Sequence, residues 1–175
     1  MCGRARCVLD IPTIQSSSKV PSKNIHDLHK YTPTENMTPG KNFPVIYQDN
    51  KTDSKVLNIM TWGLIPSFSK TSQKPDFFKM FNARIESIDE KPSFRKAVKT
   101  NRCAVMLSGY FEWKVSNDTG RKQPYYVGRS EGQPMFLAGV YDTCKVLSLS
   151  LCAVYVHCII CNVLLLACGR EWSGK

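Results

Sequence analysis

The second residue of the chain carries the most reactive chemistry in the sequence. The chain begins Met-Cys-Gly-Arg, so removal of Met1 would leave Cys2 with a free α-amine beside its own thiol. An α-amine titrates near pH ~8 and a Cys thiol near ~8.5, so neutral amine and thiolate are both available at neutral pH. The amine can condense with an aldehyde to a Schiff base, and the thiolate can close on the imine carbon as a thiazolidine. The alternative from this tetrapeptide alone is that Cys2 is an ordinary small residue.

Two further polar residues lie within apolar, strand-like surroundings. Glu112 stands between aromatic residues in Gly-Tyr-Phe-Glu-Trp-Lys (109–114), and Asn82 stands in Phe-Asn-Ala-Arg-Ile-Glu-Ser (81–87). A carboxyl group buried between aromatic side chains could serve as a general acid or base. The alternative for Glu112 is a solvated carboxylate on an edge strand. A third stretch of this kind is Trp-Gly-Leu-Ile-Pro, which begins at Trp62.

The chain is strongly basic for its length. Its 175 residues include 24 Lys and Arg against 14 Asp and Glu, a formal charge of +10. The length suits one domain with a real core. The charge favours a polyanionic partner, and nucleic acid is the first candidate. Because the basic residues are scattered rather than run together, an ordinary basic surface is the alternative.

The cysteines do not predict a disulfide scaffold or a metal site. The start of the chain has no apolar signal segment and carries Arg and Lys instead, which predicts an intracellular protein. Cys158 and Cys161 have the C-x-x-C spacing, but no second ligand pair accompanies them outside an apolar run. His26 and His29 likewise lack a third ligand at suitable spacing. We therefore expect no metal and no small-molecule cofactor.

The pattern of elements predicts an α+β chain that is mainly β. Residues 10–42 are rich in Ser, Thr, Pro, Lys and Asn and are predicted to be mostly loop. A hairpin is predicted over 43–62, and Ser87 with Glu90 forms a capping-box pattern ahead of a short helix near 93–98. Four short strands are predicted after it, within 102–107, 110–113, 124–127 and 134–141. This spacing favours a curled, antiparallel sheet or barrel with few short helices.

The end of the chain has a different composition. Residues 146–168 contain no formal charge and are dominated by Leu, Val, Ile, Cys and Ala. The sudden change after Lys145 favours a readthrough or frameshifted end, which would leave 1–145 as a partial domain and 146–175 as an aberrant tail. The alternatives are buried strands or a membrane span, since the length suits a span. We expect no membrane association.

Five stretches taken together resemble the SRAP family, the SOS-response-associated peptidases. They are Met-Cys-Gly-Arg, Trp-Gly-Leu-Ile-Pro, Asn-Ala-Arg-Ile-Glu-Ser, Arg-Cys-Ala-Val with Gly-Tyr-Phe-Glu-Trp-Lys, and Lys-Gln-Pro-Tyr-Tyr from Lys122, in the family's order from Met1 to about Cys144. The resemblance implies the family's fold and a self-processing N-terminal Cys. It further implies that this Cys crosslinks to the ring-opened aldehyde of an abasic site in single-stranded DNA and so shields the lesion.

The resemblance also assigns residues. It implies that Cys2 is the crosslinking nucleophile, that Asn82 orients the N-terminal amine, and that Glu112 is the acid/base group. The resemblance also implies DNA-binding positions. Arg4 and Arg84 would contact phosphates, and Trp62 would stack on a base, although it could equally belong to the core. Asn36 would also contact DNA, but the residue before it, Glu35, departs from the family's Tyr.

The chain departs from the family at its end. The family continues into further strands and a His-containing motif that assists sugar-ring opening, and nothing here matches that motif. His157 lies in the apolar tail without the family's following residues and is not assigned the role. The alternatives to a crosslinking protein are a non-covalent binder of single-stranded or 5-hydroxymethylcytosine-containing DNA, and an inactive fragment. The resemblance suggests a nucleus location in a eukaryote, or the cytoplasm in a bacterium, and the replication machinery as a candidate partner.

Overall fold

Two antiparallel sheets of four strands each make up most of the molecule. The computed structural model describes residues 3–66, 76–117, 119–130, 132–144 and the backbone of 151–152. The strands are β1 (Arg4–Cys7), β2 (Thr34–Met37), β3 (Asn42–Asp49), β4 (Ser54–Thr61), β5 (Arg102–Leu107), β6 (Gly109–Val115), β7 (Lys122–Gly128), β8 (Met135–Val140), β9 (Thr143–Cys144) and β10 (Leu151–Cys152). The sheet orders are β2-β1-β6-β7 and β4-β3-β5-β8, and β9 pairs with β10. The prediction of a mainly antiparallel fold with few short helices is confirmed.

The side chains of β1 lie alternately on the two faces of the first sheet. Successive residues of a strand point to opposite faces. Ala5 and Cys7 are buried, whereas Arg4 and Arg6 alternate with them on the outer face. The register sets Arg4 opposite Phe111 on β6. The outer face of this sheet therefore combines the arginines of β1 with aromatic residues of β6.

The second sheet contains the predicted hairpin. β3 and β4 pair continuously from Asn42 with Thr61 to Asp49 with Ser54, which confirms the prediction for this part of the chain. Asp53 has φ +49° in the connecting turn. β5 and β8 complete the sheet, and the strands predicted around them are also confirmed.

A single large apolar cluster takes side chains from both sheets. Its buried members include residues of β1, β3, β4, β5, β6, β7 and β8. They are Ala5, Cys7, Phe43, Val45, Leu57, Ile59, Met60, Val105, Met106, Leu107, Tyr110, Val127 and Leu137. Contributions from inner faces of both sheets hold the layers together through apolar burial. The outer face of the first sheet is thereby left available for other contacts.

The prediction that 10–42 is mostly loop is wrong in part. Helix α1 (Ile11–Ser18) begins after Asp10, whose carboxylate accepts a hydrogen bond of 2.8 Å from the Thr13 N–H. Asp at the N-cap with Pro in the first turn is a favourable helix start. Ile14 is fully buried on this helix, so tertiary packing stabilises a serine-rich segment that has weak helix propensity. Strand β2 also lies within this region.

The capping box predicted at Ser87 is wrong. Ser87 ends a short 3-10 turn (Ile85–Ser87), and the next helix, α2 (Pro92–Arg95), begins after Lys91 without a side-chain cap. Pro at the first helical position supplies the start instead. Helix α3 (Ala97–Thr100) follows, so the predicted helix near 93–98 is two short helices. They pack on a second, smaller apolar cluster.

The apolar tail lies outside the described residues, apart from the backbone of β10. The boundary at 145, His157 and the Cys158–Cys161 pair fall in or beside that part of the chain, so those predictions stay predictions. Within the part of the chain that the structure describes, every helix is too short or too polar to cross a bilayer.

Candidate active site and nucleic-acid interface

The start of β1 lies against the segment that contains Asn82. A Cβ built on Gly3 would stand 3.7 Å from the ring of Phe81, so Gly3 and Phe81 are close neighbours. Extending the β1–β6 register by one residue from Arg4 and Phe111 sets Gly3 beside Glu112. Gly3 is therefore close to the positions of two predicted site residues. Glu112 lies beside it in this register, and Asn82 directly follows its neighbour Phe81 in the sequence. Cys2 lies outside the described residues.

Glu112 is a buried carboxyl group on the inner face of the first sheet. It is 8% exposed, and its strand lies between β1 and β7, which excludes the alternative of a solvated carboxylate on an edge strand. Tyr125 of β7 is its cross-strand partner. Directly opposite residues of an antiparallel pair lie on one face with their Cβ atoms about 4.5–5.5 Å apart. Tyr125 and Glu112 are therefore neighbours on this face.

Trp62 belongs to the core, which is the second of the two alternatives given for it. The residue is 1% exposed, and its ring packs edge-on against Phe43 and Phe81 with centroid distances of 5.7 and 5.8 Å. A ring enclosed in this way offers no face to a nucleotide. Its indole Nε1–H donates a 2.9 Å hydrogen bond to the carbonyl of Phe81. Trp62 therefore fixes the peptide that precedes Asn82.

The residues after Trp62 hold the same segment from its other side. The Leu64 N–H donates a 2.7 Å hydrogen bond to the carbonyl of Met80. Gly63 has φ +126°, and a Cβ there would stand 2.6 Å from the carbonyl oxygen of Phe77. Only glycine accepts both that conformation and that close approach. The Trp-Gly-Leu motif thus holds the 77–82 segment, and the side-chain oxygen of Asn82 is buried there.

A cleft of about 820 Å³ lies on the outer face of the first sheet. It is lined by basic, acidic, polar and aromatic side chains and one proline, from four strands. These are Arg4, Arg6, Glu35, Asn36, Phe111, Trp113, Pro124 and Tyr126. Arg4 donates a 2.9 Å hydrogen bond from a guanidinium nitrogen to the Asn36 side-chain oxygen. The structure therefore brings together two predicted DNA-binding residues, Arg4 and Asn36.

Arg6 makes the main charged contacts within this cleft. Arg6 forms a two-point ion pair with Glu35, from Nε to one carboxylate oxygen and from the terminal nitrogen to the other at 3.0 Å. The hydrogen bond from Arg6 lowers the pKa of Glu35 and the pair raises the pKa of Arg6, so both groups stay charged. Burial raises the pKa of Tyr126, although its hydrogen bond with Arg6 opposes that rise.

The family follows from a comparison that covers most of the chain. A model of the SOS response associated peptidase (SRAP) family matches residues 1–162. The chain belongs to the SRAP family. The match extends past Lys145, the domain boundary predicted from composition.

Named relatives of this SRAP chain occur in yeast, vertebrates and bacteria. Abasic site processing protein YMR114C of Saccharomyces cerevisiae is 37% identical over 61% of this chain and 27% of its own length. Abasic site processing protein HMCES of Xenopus tropicalis is 33% identical over 73% and 42%. Abasic site processing protein YoqW of Bacillus subtilis is 34% identical over 65% and 48%. The chain spans less than half the length of these curated relatives.

Solved structures support the fold. A crystal structure of a Bacteroides thetaiotaomicron protein has a TM-score of 0.65 at 23% identity and covers 88% of this chain and 66% of that one. A Bordetella bronchiseptica protein has a TM-score of 0.65 at 17% identity, with 88% and 70% covered. At these identities the likeness shows the fold alone.

Four of the predicted site residues of this SRAP chain lie in two places. Glu112 is buried on the inner face of the first sheet and Asn82 directly follows Phe81, the neighbour of Gly3, whereas Arg4 and Asn36 lie in the outer cleft. Arg84 is exposed and does not line that cleft. In the part of the chain that the structure describes, no cluster of three or more His, Cys, Asp or Glu side chains could hold a metal ion.

Several residues of the cleft were not predicted from the sequence. Trp113 is 41% exposed and lies on the opposite face of β6 from Glu112. Phe111 and Tyr126 pack with ring centroids 5.2 Å apart, and Arg6 stands next to them. Strict alternation along Gly-Tyr-Phe-Glu-Trp-Lys was the available signal, since a buried Glu112 requires its neighbours to face outward.

Proposed function

We propose that this SRAP chain binds single-stranded DNA and bonds covalently to abasic sites through Cys2 after removal of Met1. The observation that carries the proposal is the position of Gly3. This residue, bonded to Cys2, lies against Phe81 and, in the extended register, beside the buried Glu112. Relatives named abasic site processing proteins support the substrate class.

The proposed chemistry balances with the loss of one water. The Cys2 α-amine attacks the aldehyde carbon of the ring-opened abasic sugar, and the resulting hydroxyl leaves as water to give an imine. The thiolate then adds to the imine carbon, the nitrogen takes up a proton, and a thiazolidine ring closes. In this proposal Glu112 delivers the proton to the departing hydroxyl, and Asn82 orients the amine.

The outer cleft is proposed to hold the DNA strand beside the lesion. A guanidinium group such as that of Arg4 can bind a phosphate with two hydrogen bonds. Trp113 presents an exposed ring on which a base can stack, as aromatic residues do in proteins that bind single strands. Arg4 and Trp113 both line the cleft, so one face supplies charge and stacking together. This combination supports single-stranded DNA as the partner.

A denaturing gel tests the covalent step. The purified chain, with Met1 removal verified by mass spectrometry, is incubated with a single-stranded oligonucleotide carrying one abasic site. We expect an adduct that survives denaturation, and its loss in Cys2→Ala or with an uncut tag ahead of Cys2. Cys103→Ala is the matched control, because Cys103 is a partly buried cysteine of β5. An adduct of undiminished yield from Cys2→Ala would exclude the thiazolidine mechanism.

A second candidate function is non-covalent binding of single-stranded or modified DNA. The cleft favours it, because its arginine and aromatic side chains need neither Cys2 nor Glu112 for binding. The same oligonucleotides distinguish the two functions. A complex seen on a native gel but never on a denaturing gel, for protein with a verified N-terminal Cys2, would support the binder. Absence of both complexes would indicate an inactive fragment.

A further inference from the structure

The two outward arginines of β1 have different partners on β2. Arg4 donates a hydrogen bond to the neutral side chain of Asn36, whereas Arg6 donates two hydrogen bonds to the carboxylate of Glu35. Both pairs line the same cleft. A phosphate that approaches Arg4 must displace an amide oxygen. A phosphate that approaches Arg6 must displace, and is repelled by, a negative charge.

The Arg6–Glu35 pair is placed where a ligand can open it. The side chains are 35% and 70% exposed, respectively. Exposed ion pairs contribute little net stability because water competes for both charges. Glu35 is largely exposed, so a ligand in the cleft can displace its carboxylate from Arg6 into solvent. Its negative charge nevertheless remains close to any phosphodiester in the cleft.

We propose that Glu35 is a counter-charge that restrains the affinity of the cleft for the DNA backbone and keeps Arg6 from binding phosphate until Glu35 is displaced. The inference rests on the proposed binding of DNA in this cleft. Its consequence is that intact single strands are held weakly, so retention at a lesion depends on the covalent step. Glu35 is thus a specificity-determining residue rather than a ligand of DNA.

The test measures binding of an undamaged oligothymidylate to the full chain by fluorescence anisotropy at several salt concentrations. Glu35→Gln keeps the shape and an acceptor for Arg6 but removes the charge. We expect binding about threefold to tenfold tighter at low salt, from the loss of one repulsion at short range. The salt dependence should steepen by ~0.7, the slope of one added phosphate contact in a single strand.

Two controls identify the cause. Glu90→Gln makes the same change in net charge at an exposed site outside the cleft and should change affinity by less than about twofold, because salt screens distant charges. In an Arg6→Ala background, Glu35→Gln should lose the change in slope, since no guanidinium is released. Glu35→Ala should bind at least as tightly as Glu35→Gln.

The outcomes separate this inference from the proposed function. Wild-type binding with no gain in Glu35→Gln and Glu35→Ala beyond that of Glu90→Gln would overturn the inference and leave DNA binding intact. Weaker binding by both Glu35 variants would also overturn it, because Glu35 would then support the cleft. If the wild-type chain fails to bind the oligonucleotide, the proposed function fails first and the inference with it.

Discussion

Adjacent residues of β6 face two different environments. Glu112 is buried on the inner face beside Tyr125, and Trp113 is exposed in the outer cleft with Arg4. The pleat of the strand is the physical reason for this division. One strand can therefore contribute to chemistry on one face and to binding on the other. Substitutions at the two positions should have separable effects.

Glu112→Gln should slow formation of the covalent adduct by roughly 10²–10⁴-fold, as removal of a positioned acid/base group does. Its affinity for undamaged DNA should hardly change, since the cleft lies on the other face. Trp113→Ala should do the reverse and weaken that affinity by about 1–3 kcal/mol, the worth of one stacked base. Single-turnover gels and anisotropy measure the two quantities. An equal loss of both in Glu112→Gln would assign Glu112 to the fold.

At the scale of elements, the Trp-Gly-Leu motif acts on the segment that carries Asn82. Trp62 and Leu64 donate to two successive carbonyls, those of Phe81 and Met80, and Gly63 lets the segment approach closely. The motif that begins at Trp62 and the segment that carries Asn82 thus pack directly against each other. We infer that Trp62 is a positioning residue for the proposed site.

Trp62→Phe keeps an aromatic ring but removes the donor to the Phe81 carbonyl. It should lower the free energy of unfolding by about 2–4 kcal/mol, from the lost hydrogen bond and the smaller ring. Phe43→Leu is the control, since Phe43 contacts the indole in the core without making that bond. At a temperature where both variants are folded, only Trp62→Phe should slow adduct formation. Similar rates in both variants would restrict Trp62 to stability.

Strands β3 to β8 were predictable from sequence because local patterning agrees with the final packing. Arg102–Leu107 and the 43–62 hairpin alternate or run apolar in the manner of half-buried or buried strands, and they fold so. Helix α1 was missed because its serines have poor helix propensity, although Asp10 and Pro12 mark its start. The Arg6–Glu35 pair was not predictable. It depends on pairing of β1 with β2 across an irregular register.

At the scale of the whole molecule, the core contains a thiol that the proposed chemistry does not use. Cys7 is 0% exposed, and its sulfur lies 3.2 Å from the hydroxyl of Tyr31. Desolvation raises the pKa of Cys7 from 9.0 to about 11 and also raises the pKa of Tyr31. The fold therefore keeps both groups neutral, and alkaline conditions should lower the free energy of unfolding.

The neutral Cys7 thiol should make stability fall at high pH. Below pH 9.0 the thiol is protonated in both states; between 9.0 and about 11 it ionises in the unfolded chain first. A shift of this size corresponds to roughly 2–3 kcal/mol of unfolding free energy, lost over that interval. Urea titrations from pH 8 to 11 should show a smaller loss in Cys7→Ala than in wild type. Cys103→Ala controls for removal of a thiol, and an unchanged pH profile in Cys7→Ala would contradict this account.

The central place of β1 in its sheet has a mechanical consequence. β1 is hydrogen-bonded to β2 on one side and to β6 on the other, and its first residue is only two positions from Cys2. DNA attached at Cys2, as proposed, would pull along the axis of this strand. Tension from a translocating motor would then load both rows of hydrogen bonds in shear, so they would have to break together rather than peel one by one. Such a tether would resist extraction by force, and its removal would call for proteolysis of the protein or chemical reversal of the bond.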